Sequence, residues 1–238
     1  MSSEVQRPVP EWRFMQLTLF MALWMLLSPR WEHPWIGGLL LQAVVINSLF
    51  VTLWANPQSH RLRVVVLGLW MLSVVASVTA LAPLPAHLRQ AARTAEIVAF
   101  IPVLAACAVG IVRFIFRTRR LSADGIFATV AVYLLVAFIF AQFYLLLIIG
   151  SADAFHLPVP AQERLPQALH SDMVYFSLIT LATVGYGDVL PVSETARMLA
   201  VIEAVIGQFY VAVIVAVFVG MYAATATGTS GTNPGGRP

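Results

Sequence analysis

Long apolar stretches separated by short polar segments run through most of this sequence. Each stretch comes near the roughly 20 residues that a helix needs to cross the hydrocarbon core of a bilayer. The stretches lie at residues 13–28, 36–55, 62–82, 95–116, 125–149 and 196–222. A shorter apolar run at 170–182 is too short to cross, and Ser171 or Asp172 is expected to cap its first free amides. The pattern therefore predicts an all-α transmembrane protein with six spans and a re-entrant helix over 170–182.

The composition agrees with a membrane protein and argues against a soluble one. Of the 238 residues, 60% are hydrophobic and 11% are charged, which leaves too little polar surface to cover a soluble globule. The single cysteine, Cys107, excludes an intrachain disulfide. The sequence contains no recognisable nucleophile triad, phosphate-binding loop or metal-ligand cluster. We therefore expect no enzymatic activity, no cofactor and no nucleic-acid partner.

The basic residues, all of them arginine, predict the orientation in the membrane. When six spans are threaded in order, nine arginines fall on one side and five on the other. The larger group is Arg7, Arg13, Arg61, Arg63, Arg113, Arg117, Arg119, Arg120 and Arg237, and the smaller is Arg30, Arg89, Arg93, Arg164 and Arg197. Because cytoplasmic loops carry the excess of basic residues, both termini are expected in the cytoplasm. The exclusive use of arginine and the compact plan favour a prokaryotic inner membrane.

One motif is far more specific than the rest: Thr183 to Asp188 reads Thr-Val-Gly-Tyr-Gly-Asp and directly follows the short apolar run. Gly185 and Gly187 reach left-handed backbone conformations without a steric penalty, so successive carbonyl groups can point at one axis. The hydroxyl of Thr183 adds a further oxygen at the inner end. Val184 and Tyr186 are expected to point away from the axis and to pack into the surrounding protein.

This motif resembles the selectivity filter of the potassium channel family. The resemblance implies that K⁺ is coordinated by oxygens of Thr183, Val184, Gly185 and Tyr186, with Gly187 completing the filter. One strand cannot surround an ion, so several copies must assemble, and the family implies a homotetramer. The expected function is passive, potassium-selective conduction, with other copies of the chain, membrane lipids and K⁺ as partners. A poorly selective cation channel and a non-conducting regulatory membrane subunit remain as alternatives.

The resemblance also implies a domain organisation. A cytoplasmic N-terminus, a four-helix domain that resembles a voltage sensor, and a linker would precede a pore domain and a disordered cytoplasmic tail. These segments are expected at 1–12, 13–116, 117–124, 125–222 and 223–238. Within the pore domain, the outer helix, pore helix, filter and inner helix are expected at 125–149, 170–182, 183–188 and 196–222. The tail is too short for a ligand-binding module, so no attached cytoplasmic ligand-binding domain is expected.

Two aromatic residues of the pore helix depart from the pattern of voltage-gated relatives. Those relatives carry a Trp-Trp pair, and this chain has Tyr175 and Phe176 at the matching positions. In the family, the acid after the filter, here Asp188, typically forms a hydrogen bond that holds the filter rigid. The resemblance therefore implies filter support by Asp188, Tyr175 and Phe176, with the hydrogen bond made by the Tyr175 hydroxyl.

The last span contains several residues that allow two interpretations. Gly207 fits either a hinge or close helix packing, because glycine serves both uses in membrane helices. Gln208 is expected to face a water-filled cavity below the filter. Glu203 is expected either to pair with Arg197 or to anchor the pore helix. A face that either lines a gate or contacts lipid carries Val211, Val215 and Val219.

The fourth span carries no gating charges. Residues 94–112 contain no arginine, and Arg89 and Arg93 are expected to precede the helix. A voltage sensor needs several basic residues inside this helix, because each elementary charge that crosses the field contributes only about 2.3 kcal/mol per 100 mV. The sequence therefore predicts a channel without steep voltage gating.

Overall fold

The computed structural model describes residues 13–27, 42–43, 46, 60–117, 123–158 and 166–228. This part of the chain is mostly helical. Its long helices are α1 (Arg13–Leu27), α2 (His60–Leu81), α3 (Ala86–Arg117), α4 (Ala123–Gly150), α5 (Pro166–Leu181) and α6 (Glu194–Gly228). A 3₁₀ turn, Ala152–Ala154, precedes the short strand β1 (Phe155–His156), and strand β2 (Leu190–Pro191) precedes α6.

Four helices within the described residues are long and apolar enough to cross a membrane. Their apolar segments are Arg63–Ala80, Ala86–Phe116, Ala123–Gly150 and Glu194–Val217. They correspond to the predicted third, fourth, fifth and sixth spans. The predicted first span corresponds to α1, whose 15 residues extend about 22 Å at 1.5 Å per residue. The predicted second span, 36–55, lies outside the described residues except for helical positions 42–43 and 46.

Three predicted helix boundaries are wrong. Helix α3 begins at Ala86, so Arg89 and Arg93 lie inside its first turns and not before it. Helix α5 begins at Pro166, so Ser171 and Asp172 are interior residues and do not cap it. Proline suits the first position of a helix, because an N–H group at that position has no acceptor within the helix and its absence costs nothing.

The third wrong boundary is the C-terminal end of α6. This helix continues to Gly228, so residues 223–228 of the predicted disordered tail are helical. Residues 229–238 lie outside the described residues. At its other end, Ser193 precedes the helix, and its Oγ accepts a hydrogen bond from the Ala196 amide at 3.2 Å. Such N-caps satisfy one of the free amides of a first turn.

Helices α1 and α3 both pack against α4, and α2 packs against α3. The α1–α4 contact includes hydrogen bonds at the beginning of both helices. The Phe14 amide donates to Oδ1 of Asp124 at 2.9 Å, and the Thr18 hydroxyl lies 3.0 Å from the Phe127 carbonyl oxygen. Helices α1 and α3 therefore lie against the α4 of their own chain, a placement that the sequence alone did not determine.

A small antiparallel strand pair lies between the C-terminal end of α4 and the N-terminal end of α6. Phe155 pairs with Pro191, and His156 pairs with Leu190. The amides of Val192 and Ser193 add hydrogen bonds to the Ala154 carbonyl at 2.9 and 3.2 Å. This pair was not expected from a sequence that predicts only helices. It joins the segment after α4 to the segment that leads into α6.

Candidate ion-binding site

The motif 183–188 begins where α5 ends, and the end of that helix sets its backbone direction. The Thr183 amide donates to the Thr180 carbonyl at 2.9 Å, and the Val184 amide donates to the Ile179 carbonyl at 2.7 Å. These two bonds form a Schellman motif, in which the residue after the helix end adopts a left-handed conformation. Thr183 takes that position with φ 57°, although glycine is the usual residue there. The left-handed region costs a residue with a side chain about 1–2 kcal/mol.

Both glycines of the motif have the left-handed backbone that the sequence predicted. Gly185 has φ 54° and Gly187 has φ 81°, so positive φ values recur at every second residue from Thr183 to Gly187. A residue with a Cβ is strained at either glycine. The alternating backbone is compatible with carbonyl groups that point successively toward one side, as a conduit of carbonyl oxygens requires.

The expected packing of Val184 and Tyr186 into surrounding protein is not present within a single chain, and for an assembly of several copies it stays a prediction. Their side chains are 50% and 72% exposed. Every residue from Thr183 to Asp188 is exposed. The motif is therefore held by backbone hydrogen bonds at its inner end and by few side-chain contacts elsewhere in its own chain.

Tyr175 and Asp188 make the hydrogen bond that the sequence suggested. The Tyr175 hydroxyl donates to Oδ2 of Asp188 at 2.8 Å. This hydrogen bond and the negative charge of Asp188, together with partial burial, raise the pKa of Tyr175 to about 12. The phenol therefore keeps the proton it donates throughout the neutral range. The bond ties the outer end of the motif to α5.

If the motif acts in the channel that its resemblance implies, we expect Tyr175→Phe to shorten the mean open time of single channels in planar bilayers by about twofold or more, since one hydrogen bond that holds the motif is lost. Tyr133→Phe, which removes a hydroxyl from α4 next to Tyr210, is the matched control. An unchanged open time in Tyr175→Phe, or an equal change in both variants, would show that the bond to Asp188 does not hold the motif.

Phe176 points the other way, into an aromatic cluster that joins three segments. We call the rings of Tyr144, Phe155 and Phe176 the aromatic cluster. Their centroids lie 5.1 to 5.4 Å apart, and each pair meets edge to face. Edge-to-face pairs at this distance add about 0.5–1.5 kcal/mol beyond the area they bury. The cluster fixes α5 against α4 and against strand β1.

Gly207 permits a very close approach between α6 and the end of α5. A Cβ at this position would lie 2.1 Å from the Leu181 carbonyl oxygen and 3.0 Å from its carbon. Leu181 is the last residue of α5. The structure therefore gives Gly207 a packing role directly behind the motif, and its use as a hinge stays a prediction.

Gln208 and the three valines of the predicted gate lie on exposed surface of the single chain. The Gln208 side-chain amide donates to the Thr183 hydroxyl at 3.2 Å, so it reaches the inner end of the motif. The exposed fractions of Val211, Val215 and Val219 are 48%, 55% and 62%. Exposure of this kind fits a pore-facing, subunit-facing or lipid-facing side chain, so the gating role of these valines stays a prediction.

Glu203 anchors α5, the helix that the sequence predicted as the pore helix, and does not pair with Arg197. It is fully buried, and its carboxyl group makes hydrogen bonds with Tyr144 of α4 and Ser177 of α5. The Arg197 Nε instead donates to the Pro191 carbonyl at 3.3 Å. Of the two roles that the sequence left open for Glu203, the structure therefore shows the contact with α5 and not the pair with Arg197.

Sequence reasoning missed the partners that hold these helices together. Besides Tyr144 and Ser177, Tyr210 of α6 donates its hydroxyl to the Thr129 carbonyl of α4 at 2.6 Å. A signal was present, because a hydroxyl inside an apolar helix usually finds an acceptor. The identity of the acceptor depends on helix rotation, which hydrophobicity alone does not determine.

Comparison with known proteins identifies the family. The family described as "Ion channel" matches residues 128–224, from the second turn of α4 almost to the end of α6. Protein LctB of Bacillus caldotenax is 35% identical over 125 residues, which are 49% of this chain and 90% of that relative. The chain belongs to the ion channel family. The four apolar helices among the described residues make this family member an integral, multi-pass membrane protein, and its membership confirms that it is not an enzyme.

Two further relatives of this ion channel chain are similar over parts of it. Protein LctB of Geobacillus stearothermophilus is 35% identical over 127 residues, which cover 49% of this chain and 90% of that relative. The voltage-gated potassium channel Kch of Escherichia coli (strain K12) is 38% identical over 64 residues, which are 27% of this chain and 15% of Kch. No solved structure shows a significant match to the chain.

Proposed function

We propose that the chain forms a homotetrameric channel that conducts K⁺ passively and selectively. In this proposal Thr183, Val184, Gly185 and Tyr186 supply the coordinating oxygens, and Gly187 completes the filter. The observation that carries the proposal is the alternating left-handed backbone at Thr183, Gly185 and Gly187. Such a backbone can direct successive carbonyl oxygens at a dehydrated cation. The similarity to a relative named as a potassium channel supports the choice of ion.

The exposed surfaces of a single chain support assembly around a central axis. In an 18-residue apolar window of α6 only 11% of the residues are buried, compared with 56% in such a window of α4. Val184 and Tyr186 are also exposed, and their motif contacts this helix through the hydrogen bond from Gln208 to Thr183. Neighbouring copies would cover both and would surround the ion with carbonyl groups on all sides. Four copies are proposed from the resemblance of the motif to potassium channel filters.

The proposed domain plan follows the described helices. Residues 123–228 would form the pore domain, with α4 as outer helix, α5 as re-entrant pore helix and α6 as inner helix. The N-terminal helices would complete six spans, with both termini in the cytoplasm of a prokaryotic cell. Absence of arginine from 94–112 supports a channel without steep voltage gating, because Arg89 and Arg93 occupy only the first turns of α3.

Flux measurements on liposomes that contain only the purified protein test this proposal. We expect K⁺ flux to exceed Na⁺ flux, and we expect Gly185→Ala to abolish it, since alanine is strained at φ 54°. Gly68→Ala is the matched control, because a Cβ there meets no atom within 4 Å. Equal flux of the two ions would contradict selectivity for K⁺ and would indicate a poorly selective cation channel. No flux at any voltage would favour a non-conducting subunit.

A further inference from the structure

Glu203 joins three helices through buried oxygen atoms. Tyr144 of α4, Ser177 of α5 and Glu203 of α6 are each 0% exposed. The Tyr144 hydroxyl lies 2.6 Å from Oε2 of Glu203, and the Ser177 hydroxyl contacts Oε1. The same Ser177 hydroxyl lies 2.8 Å from the carbonyl oxygen of Ala137 on α4. These three oxygen–oxygen contacts, from Ala137 through Ser177 and Glu203 to Tyr144, are called here the Glu203 network.

Counting hydrogen atoms in the Glu203 network gives the protonation state of the acid. Each of the three contacts needs one hydrogen atom between its two oxygens. Serine and tyrosine hydroxyls carry one each, and a backbone carbonyl carries none. Ser177 must use its hydrogen for Ala137, and Tyr144 uses its own for Glu203. The contact between Ser177 and Oε1 then lacks a hydrogen atom unless the Glu203 carboxyl group provides it.

The surroundings of Glu203 favour the same assignment. It lies within the apolar segment Glu194–Val217 of α6, where a charged carboxylate is costly without a cationic partner. In the described part of the chain, the nearby basic side chain of Arg197 is directed to Pro191. If Glu203 were ionised and accepted from Ser177, two oxygens 2.8 Å apart, on Ser177 and Ala137, would face each other with no hydrogen atom between them.

We propose that Glu203 is a neutral carboxylic acid that donates a hydrogen bond to Ser177 and so positions the pore helix. Ser177 lies two residues before Ile179, whose carbonyl accepts hydrogen bonds from the amides of Val184 and Gly185. The acid therefore acts on the filter through α5 and does not contact the ion. Its effect on conduction rests on the proposed function, whereas its protonation state can be measured on a protein that conducts nothing.

Infrared difference spectroscopy of the full-length protein in lipid tests the protonation state directly. We expect Glu203→Gln to remove a carbonyl stretching band of a protonated carboxylic acid from the wild-type spectrum. Glu194→Gln, at the exposed beginning of α6, should instead remove the bands of an ionised carboxylate. Loss of carboxylate bands in Glu203→Gln would overturn the proposal.

Ser177→Ala provides a second variant with a small structural change. Removal of the acceptor hydroxyl should shift the protonated carbonyl band of Glu203 to higher frequency, because its acid proton loses a hydrogen bond. If the spectrum of this variant contains no shifted acid band, Glu203 does not donate to Ser177. This result is independent of flux, so it distinguishes failure of this inference from failure of the proposed channel function.

Flux through liposomes tests the positioning role. Glutamine can donate to Ser177 through its amide nitrogen and accept from Tyr144 through its oxygen, as a neutral acid does. Glu203→Gln should therefore keep the K⁺ flux within about twofold of wild type, whereas Glu203→Leu, which leaves Ser177 and Tyr144 without this partner, should lower it about tenfold. Equal flux in all three proteins would overturn the positioning role, and so would equal loss in both variants.

Discussion

Replacing Gly207 with alanine is expected to abolish K⁺ flux, or to lower it by one to two orders of magnitude. The added methyl group would lie 2.1 Å from the Leu181 carbonyl oxygen, which is backbone at the end of α5 and cannot rotate away as a side chain would. Relief requires α6 and α5 to separate next to the motif. Overpacking costs about 1–3 kcal/mol, which corresponds to roughly 5- to 150-fold in an equilibrium between competent and incompetent states.

The same helix offers a matched control for this prediction. Gly220→Ala makes the same substitution at a glycine whose added Cβ meets no atom within 4 Å in the chain. We expect liposomes containing Gly220→Ala to retain flux, and both proteins should be compared at equal amounts of folded, reconstituted protein. Normal flux in Gly207→Ala would mean that the close approach of α6 to Leu181 is dispensable for conduction.

Phe176→Ala is expected to destabilise the protein by about 3–5 kcal/mol, the usual cost of removing a buried phenylalanine ring. Phe176 is 4% exposed, and its ring meets those of Tyr144 and Phe155 edge to face. Its removal leaves a cavity between α5, α4 and strand β1. Thermal unfolding in detergent, followed by the circular dichroism of the helices, should show a clearly lowered midpoint.

Phe116→Ala is the matched control, because it removes a phenylalanine ring that does not belong to the aromatic cluster. Phe116 lies near the end of α3 and is 69% exposed, so its removal creates no internal cavity. We expect its unfolding midpoint to stay close to that of the wild-type protein. A midpoint in Phe176→Ala as high as that of Phe116→Ala would show that the aromatic cluster does not stabilise the fold.

Hydrophobicity located the four membrane helices that lie within the described residues, but not their ends. The apolar run that begins at residue 95 marks where α3 becomes apolar, whereas the helix itself begins at Ala86. The residues between are too polar on average to read as a membrane span but are compatible with a helix, because the alanine, leucine, glutamine and arginine among them have high helix propensity. The prediction also ended α6 too early, at residue 222, because a hydrophobicity pattern reports the surrounding medium and not the backbone conformation.

The motif was predictable from its glycines, but its attachment to the rest of the fold was not. The need of Gly185 and Gly187 for positive φ follows from their residue type. The left-handed backbone of Thr183 follows from the hydrogen bonds that end α5, and the residue type threonine does not predict it. Glu203 shows a similar limit, because burial of the acid was predictable and the choice between Arg197 and α5 depended on the rotation of α6.

The Schellman motif at the end of α5 has a consequence for engineering. The Ile179 carbonyl accepts from both Val184 and Gly185, and the Thr180 carbonyl accepts from Thr183, so the helix end and the motif 183–188 share one set of hydrogen bonds. A filter from another channel that is transplanted from residue 183 onward would lose its matching helix end. The unit to exchange in a chimaera therefore runs from Ile179 to Asp188, and insertions or deletions within it should be far less tolerated than in the loop before α5.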